Sequence, residues 1–264
     1  MKIYLIGDIG GYTEITKKIL KNINNKIEHD DVYFLLGDNF YPNGVNDLSD
    51  SMWENIKLFG ENMIYPILGN HDYLGSVKAQ LECNIKNWNL KNYYYKVTFG
   101  SIDFFFLDTS IIQPNYSNLD YNIVKSKTNK DPSEIKIEMI QWLKEELEKS
   151  NNKTVIIGHY PMISYGMYGI NKNLMLDLLP IIRKYKVSYY ISGHDHNLQI
   201  IDIISEDFSF KQVVSGASSF LYPILKNKSE KSFYSHGYVE INTDLNKISI
   251  IDDKEKCLHT EDFI

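Results

Sequence analysis

Five short segments of this sequence place metal-binding side chains directly after a glycine. Each follows a run of apolar, β-branched or aromatic residues, which predicts a buried strand that ends at the glycine. Because ligands of open α/β sheets lie beyond the carboxyl ends of the strands, we expect the five segments to meet at one sheet edge. The segments are Gly7-Asp8-Ile9-Gly10-Gly11, Gly37-Asp38-Asn39-Phe40-Tyr41, Gly69-Asn70-His71-Asp72, Gly158-His159-Tyr160-Pro161 and Gly193-His194-Asp195-His196-Asn197.

Taken singly, these residues have ordinary structural explanations. An aspartate after a glycine, such as Asp8, commonly caps a turn, and a lone histidine such as His159 is usually held in the core by hydrogen bonds. The pair His194 and His196 is more specific, because alternate residues of an extended segment share one face. Four of the seven histidines fall within the five segments, and their joint occurrence at one sheet edge predicts a metal site.

The candidate ligands are too numerous for one ion and suit two ions that share a carboxylate. Two ions about 3.5–4 Å apart can clamp a phosphoryl group for in-line displacement. Carboxylate and phenolate oxygens favour a hard ion such as Fe(III), whereas imidazole with an amide oxygen favours Zn(II), Fe(II) or Mn(II).

The elements that must position these residues alternate between strands and helices, which predicts α/β architecture. Apolar residues recur at helical spacing in three segments, and Pro180 is expected to break the last helix. Tyr93–Phe99 and Ile102–Asp108 flank Gly100-Ser101, as in a hairpin. The predicted helices are Glu14–Asn24, Ser133–Lys149 and Asn173–Tyr185, and further strands are predicted at Phe208–Ser215, Gly237–Asn242 and Lys247–Asp252.

Two packed sheets with outer helices would accommodate these elements. No composition shift divides the chain, so we expect one catalytic domain over residues 1–264. The polar stretch Gln113–Asp131 lacks clear periodicity and is predicted to be a mobile loop.

Composition restricts the classes of partner. Lys+Arg is 28 and Asp+Glu is 34, so the formal net charge is -6. This acidity disfavours nucleic acid and anionic membranes as partners. Two cysteines, Cys83 and Cys257, make no disulfide framework, and the first residues do not resemble a signal peptide. We therefore expect a cytoplasmic monomer.

The order of the five motifs resembles that of the calcineurin-like metallophosphoesterase superfamily. Most members have Asp-x-His in the first motif, whereas this sequence has Asp8-Ile9-Gly10 and adds Tyr41 three residues after Asp38. That combination is typical of the purple acid phosphatases. Gly158-His159-Tyr160-Pro161 and Val214-Ser215-Gly216-Ala217-Ser218 resemble the small, tartrate-resistant type.

The resemblance implies a fold, a cofactor and residue roles. The fold would be a four-layer α/β/β/α sandwich of two mixed sheets flanked by helices. The centre would pair Fe(III) with Fe(II), Zn(II) or Mn(II), bridged by Asp38. His71 would bind phosphate and protonate the leaving group. Tyr168 stands where the small mammalian type has a second histidine, and its hydroxyl would bind the substrate. Asp8, Asp38, Tyr41 and His196 would hold Fe(III), and Asn70, His159 and His194 would complete the divalent site.

The implied activity is hydrolysis of a phosphoric monoester, on a small molecule or a phosphoprotein, by water activated at the two ions. Two other functions remain open. One is a phosphodiesterase or nucleotide pyrophosphohydrolase of the same fold. The other is a non-catalytic scaffold, which is disfavoured because such proteins typically lose ligands and all seven are present here.

Overall fold

The computed structural model describes residues 1–225 and 230–263. Within these ranges the strands form one six-stranded and one seven-stranded sheet. The first sheet has the order β13-β12-β11-β1-β2-β3, and the second has the order β10-β8-β9-β7-β6-β5-β4. The strands are β1 (Lys2–Ile6), β2 (Val32–Leu36), β3 (Ile64–Ile67), β4 (Tyr94–Phe99), β5 (Ile102–Leu107), β6 (Lys153–Ile157), β7 (Tyr189–Ser192), β8 (Leu198–Ile204), β9 (Ser209–Ser215), β10 (Ser232–Phe233), β11 (Gly237–Asn242), β12 (Lys247–Asp252) and β13 (Cys257–Asp262).

Both sheets are mixed, and the parallel part of each contains the strands that precede the glycine motifs. In the first sheet β1, β2 and β3 are parallel neighbours, while β11 joins β1 antiparallel. In the second sheet β5, β6, β7 and β9 run parallel. Parallel neighbours end at the same edge, so the motifs of each sheet are brought side by side.

Helices flank the two sheets, which confirms the predicted four-layer arrangement. Of two 3-10 helices, Ser51–Phe59 lies between β2 and β3 in sequence, and Asp72–Leu74 directly follows β3. Every helix in the described ranges is too short or too polar to span a bilayer. The α-helices are α1 (Glu14–Asn24), α2 (Val77–Leu81), α3 (Thr109–Ile112), α4 (Tyr121–Lys127), α5 (Pro132–Lys149) and α6 (Lys172–Tyr185).

Three helices differ from the sequence predictions in their bounds or in their existence. Helix α6 continues through Pro180, although proline removes one helical hydrogen bond. Burial of Leu178 and Ile182 on its inner face offsets that loss. Helix α5 begins at Pro132, capped by the Asp131 side chain. The segment Gln113–Asp131 was wrongly predicted to be a loop throughout, since it contains α4.

Aromatic side chains join the two sheets. Phe34 of β2 lies edge-on to Phe104 and Phe106 of β5, with ring centroids 5.1 and 4.9 Å apart. All three side chains are fully buried. Edge-to-face pairs of this kind add to the free energy of burial, so the β2–β5 contact is a main attachment between the layers.

A charged network joins the sheets at a second place. Glu261 of β13 pairs with Lys211 of β9 and, at 2.7 Å, with Lys231. Asp202 of β8 bonds the same two lysines, and His259 lies 3.0 Å from Glu261. Burial alone would raise the pKa of Glu261, but the hydrogen bonds from Lys211 and Lys231 hold that pKa at about 2.

We expect Glu261→Gln to lower the free energy of unfolding by about 1–3 kcal/mol at pH 7, because two partly buried lysines lose a charged partner. The folded pKa of Glu261 lies below its ordinary value of 4.5. The stabilisation is therefore complete above about pH 4.5 and is lost as the pH falls towards 2. Denaturant unfolding of both proteins between pH 2 and 7 measures it.

The matched control is Glu148→Gln, which removes a carboxylate that is 69% exposed and lies 3.9 Å from Lys184. Exposed pairs contribute little, so this variant should unfold like the parent. An equal loss for Glu261→Gln at pH 7 and pH 2.5 would contradict the assigned network.

Candidate metal centre

The carboxyl ends of five parallel strands converge where the two sheets meet. From the first sheet, Asp8 and Asp38 follow β1 and β2, and Asn70 follows β3. From the second sheet, His159 follows β6 and His194 follows β7. The segments predicted to meet therefore do meet.

Glycines allow the strand ends to approach this closely. A Cβ on Gly69 would stand 2.2 Å from Asp38 Oδ1, and a Cβ on Gly193 would stand 2.6 Å from Asp8 Oδ2. Each glycine thus makes room for a carboxylate on a neighbouring strand end. This contact explains why glycine precedes the polar residue in both motifs.

Three of the converging residues have a left-handed backbone, with φ of 57° at Asp8, 54° at Asp38 and 65° at His194. Non-glycine residues adopt this conformation uncommonly, and aspartate and histidine tolerate it better than most. Such backbone conformations persist where surrounding structure holds them and are frequent at functional sites.

One half of the site is centred on the Tyr41 phenol. Its Oη lies 3.1 Å from Asp8 Oδ1, 3.0 Å from Asp38 Oδ2 and 3.2 Å from His196 Nε2. His196 Nε2 is also 3.2 Å from Asp8 Oδ1. Two carboxylates, a phenol and an imidazole therefore present ligand atoms to a common point, and oxygen predominates among them.

The other half is centred on His159 Nε2. This atom lies 3.0 Å from Asn70 Oδ1, 3.2 Å from His194 Nδ1 and 3.4 Å from Asp38 Oδ1. The ligand atoms of Asp38, His159 and His194 all lie within 4.8 Å of one another. Asp38 faces both halves, one carboxylate oxygen towards each, which is the geometry that a bridging ligand requires.

In the second half, hydrogen bonds orient His159 and Asn70 so that two acceptor atoms, Nε2 and Oδ1, face each other. His159 Nδ1 lies 2.7 Å from the Leu36 carbonyl oxygen, so this nitrogen carries the hydrogen and Nε2 of the neutral ring is an acceptor. Asn70 Nδ2 donates to Asn118 Oδ1 at 2.7 Å, which turns Asn70 Oδ1 towards His159. A cation between these lone pairs removes their repulsion, so the residues present fit a metal ion.

The electrostatics agree with this interpretation. Burial, followed by the neighbouring His159 and His196, lowers the pKa of His194 well below its ordinary value, so its imidazole is neutral and able to bind a metal. Burial, followed by the Asp38 and Asp8 carboxylates, raises the pKa of Tyr41. Tyr41 therefore stays protonated until a cation offsets the two carboxylates.

His71 lies at the mouth of the site rather than inside either half. Its Nδ1 lies 2.6 Å from the Pro42 carbonyl oxygen and therefore donates to it. Its Nε2 is then directed to the site, 4.0 Å from Asp38 Oδ2, and its side chain is 30% exposed. The ring packs edge-on against Tyr41 at 4.6 Å. An incoming ligand can reach Nε2.

Tyr168 lies beside the second half, with its ring 4.1 Å from that of His194. Other aromatic residues continue this wall, and no sequence motif marks them as site residues. Tyr222 stacks on His196 at 4.2 Å, Phe220 lies 5.6 Å from Tyr41, and Tyr116 lies 5.8 Å from His194. Aromatic residues are too common in buried strands for composition alone to identify them.

Asp72 and Asn118 support the ligands from behind. Asp72 is fully buried and accepts from the backbone N–H groups of Asn39 and Gly69, which ties the β2 and β3 loops together. Burial, followed by Asp38, raises the pKa of Asp72 to about 6. Asn118 orients Asn70. The two residues are 48 positions apart in the chain, so no local sequence pattern identifies Asn118 as a site residue.

Comparison with known proteins places the chain in a family. Residues 1–198 match the family model described as calcineurin-like phosphoesterase. The tartrate-resistant acid phosphatase type 5 of Rattus norvegicus is 28% identical, over 98% of this chain and 88% of the relative.

Two solved structures share the fold. GAP50, described as the anchor in the inner membrane complex of Plasmodium, aligns with a TM-score of 0.73 at 22% identity, over 99% of this chain and 88% of that one. The purple acid phosphatase PPD1 of yellow lupin aligns with a TM-score of 0.70 at 17% identity, over 98% of this chain and 53% of that one.

The family match covers the strand ends that carry all seven candidate ligands, and the ligand atoms are arranged in two halves that share Asp38. Tyr41 lies with Asp8 and His196 in one of these halves. The chain therefore belongs to the calcineurin-like phosphoesterase family and is a phosphatase of the purple acid phosphatase type with a dinuclear metal centre.

Proposed function

We propose that the protein hydrolyses phosphoric monoesters and that its two metal positions differ in charge. Fe(III) would occupy the half containing Asp8, Tyr41 and His196, and Fe(II), Zn(II) or Mn(II) the half containing Asn70 and His159. The observation that carries this proposal is Tyr41 Oη, which lies 3.0–3.2 Å from two carboxylate oxygens and an imidazole nitrogen. Such an oxygen-rich set favours a hard trivalent ion.

When bound, the two cations would activate water for attack on phosphorus and neutralise the phosphoryl oxygens. The protein's own residues determine the geometry of that reaction. Asp38 presents one oxygen to each half of the site and so sets their separation. Leu36 and Asn118 fix the orientation of His159 and Asn70 through their oxygen atoms, which limits reorganisation during the reaction.

His71 has the geometry of a proton donor to the leaving group. The Pro42 carbonyl holds its Nδ1–H, so a second proton on Nε2 makes an imidazolium that faces the substrate. That proton can bond a phosphate oxygen and then pass to the departing alkoxide. Because the ring is partly exposed, it lies on the side from which a phosphate ester enters.

The substrate class is tested by comparing two esters. We expect a higher kcat/KM for p-nitrophenyl phosphate than for bis(p-nitrophenyl) phosphate, because a monoester leaves three phosphoryl oxygens to be neutralised by the two cations. Steady-state kinetics on protein with measured metal content provide the comparison. A preference for the diester would favour a phosphodiesterase instead.

Tyr41→Phe tests the ferric half. A phenolate bound to Fe(III) absorbs visible light, so the oxidised, iron-loaded parent should be coloured and the variant should lose the band. Iron content is measured alongside, since the variant keeps the other ligands of that half. The control Asp38→Asn should lose both the iron and the colour. A parent that holds iron yet is colourless would refute the assignment of Tyr41.

His71→Ala tests the proton donor. Metal content should be unchanged, whereas kcat should fall by about 10²–10⁴, the usual contribution of a general acid. The fall should be larger for phenyl phosphate than for 2,4-dinitrophenyl phosphate, whose leaving group needs no proton. His29→Ala, which removes a fully exposed histidine, is the matched control. An equal fall for both esters would contradict the proton-donor role and leave only phosphate binding.

A further inference from the structure

The segment between β7 and β8 that carries His194 and His196 has side chains on two faces. It bends at His194, whose φ is 65°, and the residues that follow point in two directions. His194 and His196 face the metal centre, whereas Asp195, Asn197 and Gln199 face the loop Ser164–Tyr168. All three of the latter are completely buried. We refer to Asp195, Asn197 and Gln199 as the loop clamp.

Asp195 is the charged member of the loop clamp. Its Oδ2 accepts from Ser164 Oγ at 2.5 Å, and its Oδ1 accepts from Asn197 Nδ2 at 2.9 Å. Burial raises the pKa of Asp195, and Ser164 and the backbone of Tyr168 and Met167 oppose that rise. A buried carboxylate needs donors to offset its desolvation, and Ser164 of the 164–168 loop is one of them.

The remaining hydrogen bonds fix the direction of every amide in the loop clamp. Gln199 Nε2 donates to Ser164 Oγ at 2.7 Å and to Asn197 Oδ1 at 2.5 Å. Gln199 Oε1 accepts from the Tyr165 backbone N–H at 2.9 Å. Ser164 Oγ therefore donates once, to Asp195, and accepts from Gln199. A network whose donors and acceptors all match is rigid and admits one arrangement.

The loop closes tightly around this network. A Cβ on Gly166 would stand 2.3 Å from Asp195 Oδ2 and 2.4 Å from Asn197 Nδ2, so only glycine fits there. The Gly166 backbone N–H donates to Ser164 Oγ at 2.9 Å. The next residue but one is Tyr168, whose ring lies 4.1 Å from that of His194. The position of Tyr168 thus depends on the same segment that carries His194 and His196.

We propose that the loop clamp of Asp195, Asn197 and Gln199 is a positioning device that holds Tyr168 beside the metal centre, where it contacts the bound phosphate ester. This rests on the proposed function, which supplies the phosphate ester that Tyr168 would contact. One segment would then set two distances together, since His194 and His196 would place the ions and Asp195, Asn197 and Gln199 would place the wall that contacts the substrate.

The first experiment needs no activity. Hydrogen exchange of the metal-loaded protein is compared between the parent and Asp195→Asn, because the carboxamide keeps one acceptor oxygen where the carboxylate had two. The amides of residues 166–168 should exchange about 10- to 100-fold faster, the factor expected when the hydrogen bond that ties Ser164 of the loop to a charged group is weakened. Asp207→Asn, the same change at a half-exposed position, should leave them unchanged.

The second experiment links the loop clamp to Tyr168 through a double-mutant cycle. Asp195→Asn should raise KM for p-nitrophenyl phosphate about 10-fold, with metal content retained and kcat within about 3-fold of the parent. In a Tyr168→Ala background the same substitution should have almost no further effect on KM, because the residue that it positions is absent. A merely structural role would lower activity equally in both backgrounds.

Ser164→Ala is the milder variant, used if Asp195→Asn does not fold. It removes the hydroxyl that joins Asp195 to Gln199. We expect faster exchange at residues 166–168 and a higher KM, both by smaller factors than for Asp195→Asn. Unchanged exchange at residues 166–168 in the folded variants overturns the loop clamp itself. Faster exchange with full additivity in the cycle overturns its action through Tyr168. Absence of any hydrolysis by the parent would overturn the proposed function, while the exchange experiment would still decide on the loop clamp.

Discussion

The crowding of electron-pair donors at one edge of two sheets is the constraint on which the rest of this structure depends. Carboxylate, phenol, amide and imidazole atoms of seven side chains approach one another within 3.0–3.4 Å. Without cations, the burial of so many electron-pair donors together is costly. The chain reaches this arrangement in two ways. Glycine at positions 69 and 193 makes room for neighbouring carboxylates, and the backbone is left-handed at Asp8, Asp38 and His194.

Supporting hydrogen bonds then limit each ligand to one orientation. Backbone carbonyls of Leu36 and Pro42 hold the Nδ1 atoms of His159 and His71, which leaves the Nε2 atom of each ring free for chemistry. Fixed orientation lowers the cost of reorganisation when a charged substrate arrives. The local charge of two cations also explains how a chain with a net charge of -6 can bind a phosphate ester, since screening weakens distant charges.

Elements that depend on distant partners were the ones that sequence patterns predicted poorly. Strand β13 at Cys257–Asp262 is polar and lies at a sheet edge, and it is stabilised by pairing with β12 rather than by its own apolar pattern. Helix α6 runs through Pro180 because its inner face is buried. Asn118 and Asp195 support the site through contacts with residues remote in the chain. Local periodicity reports burial and spacing, and it contains no information on which remote residue will be adjacent.

The sequence by itself determined the fold class and the family, and it predicted the candidate ligands. A glycine and a polar residue after an apolar run are local features, and strand geometry turns them towards one edge. Only the tertiary structure decided how the ligands divide. It placed Asp38 between the two halves, Tyr41 with Asp8 and His196, and His71 outside both, because these positions follow from the packing of one sheet against the other. The same packing places the loop clamp of Asp195, Asn197 and Gln199 against the loop that carries Tyr168.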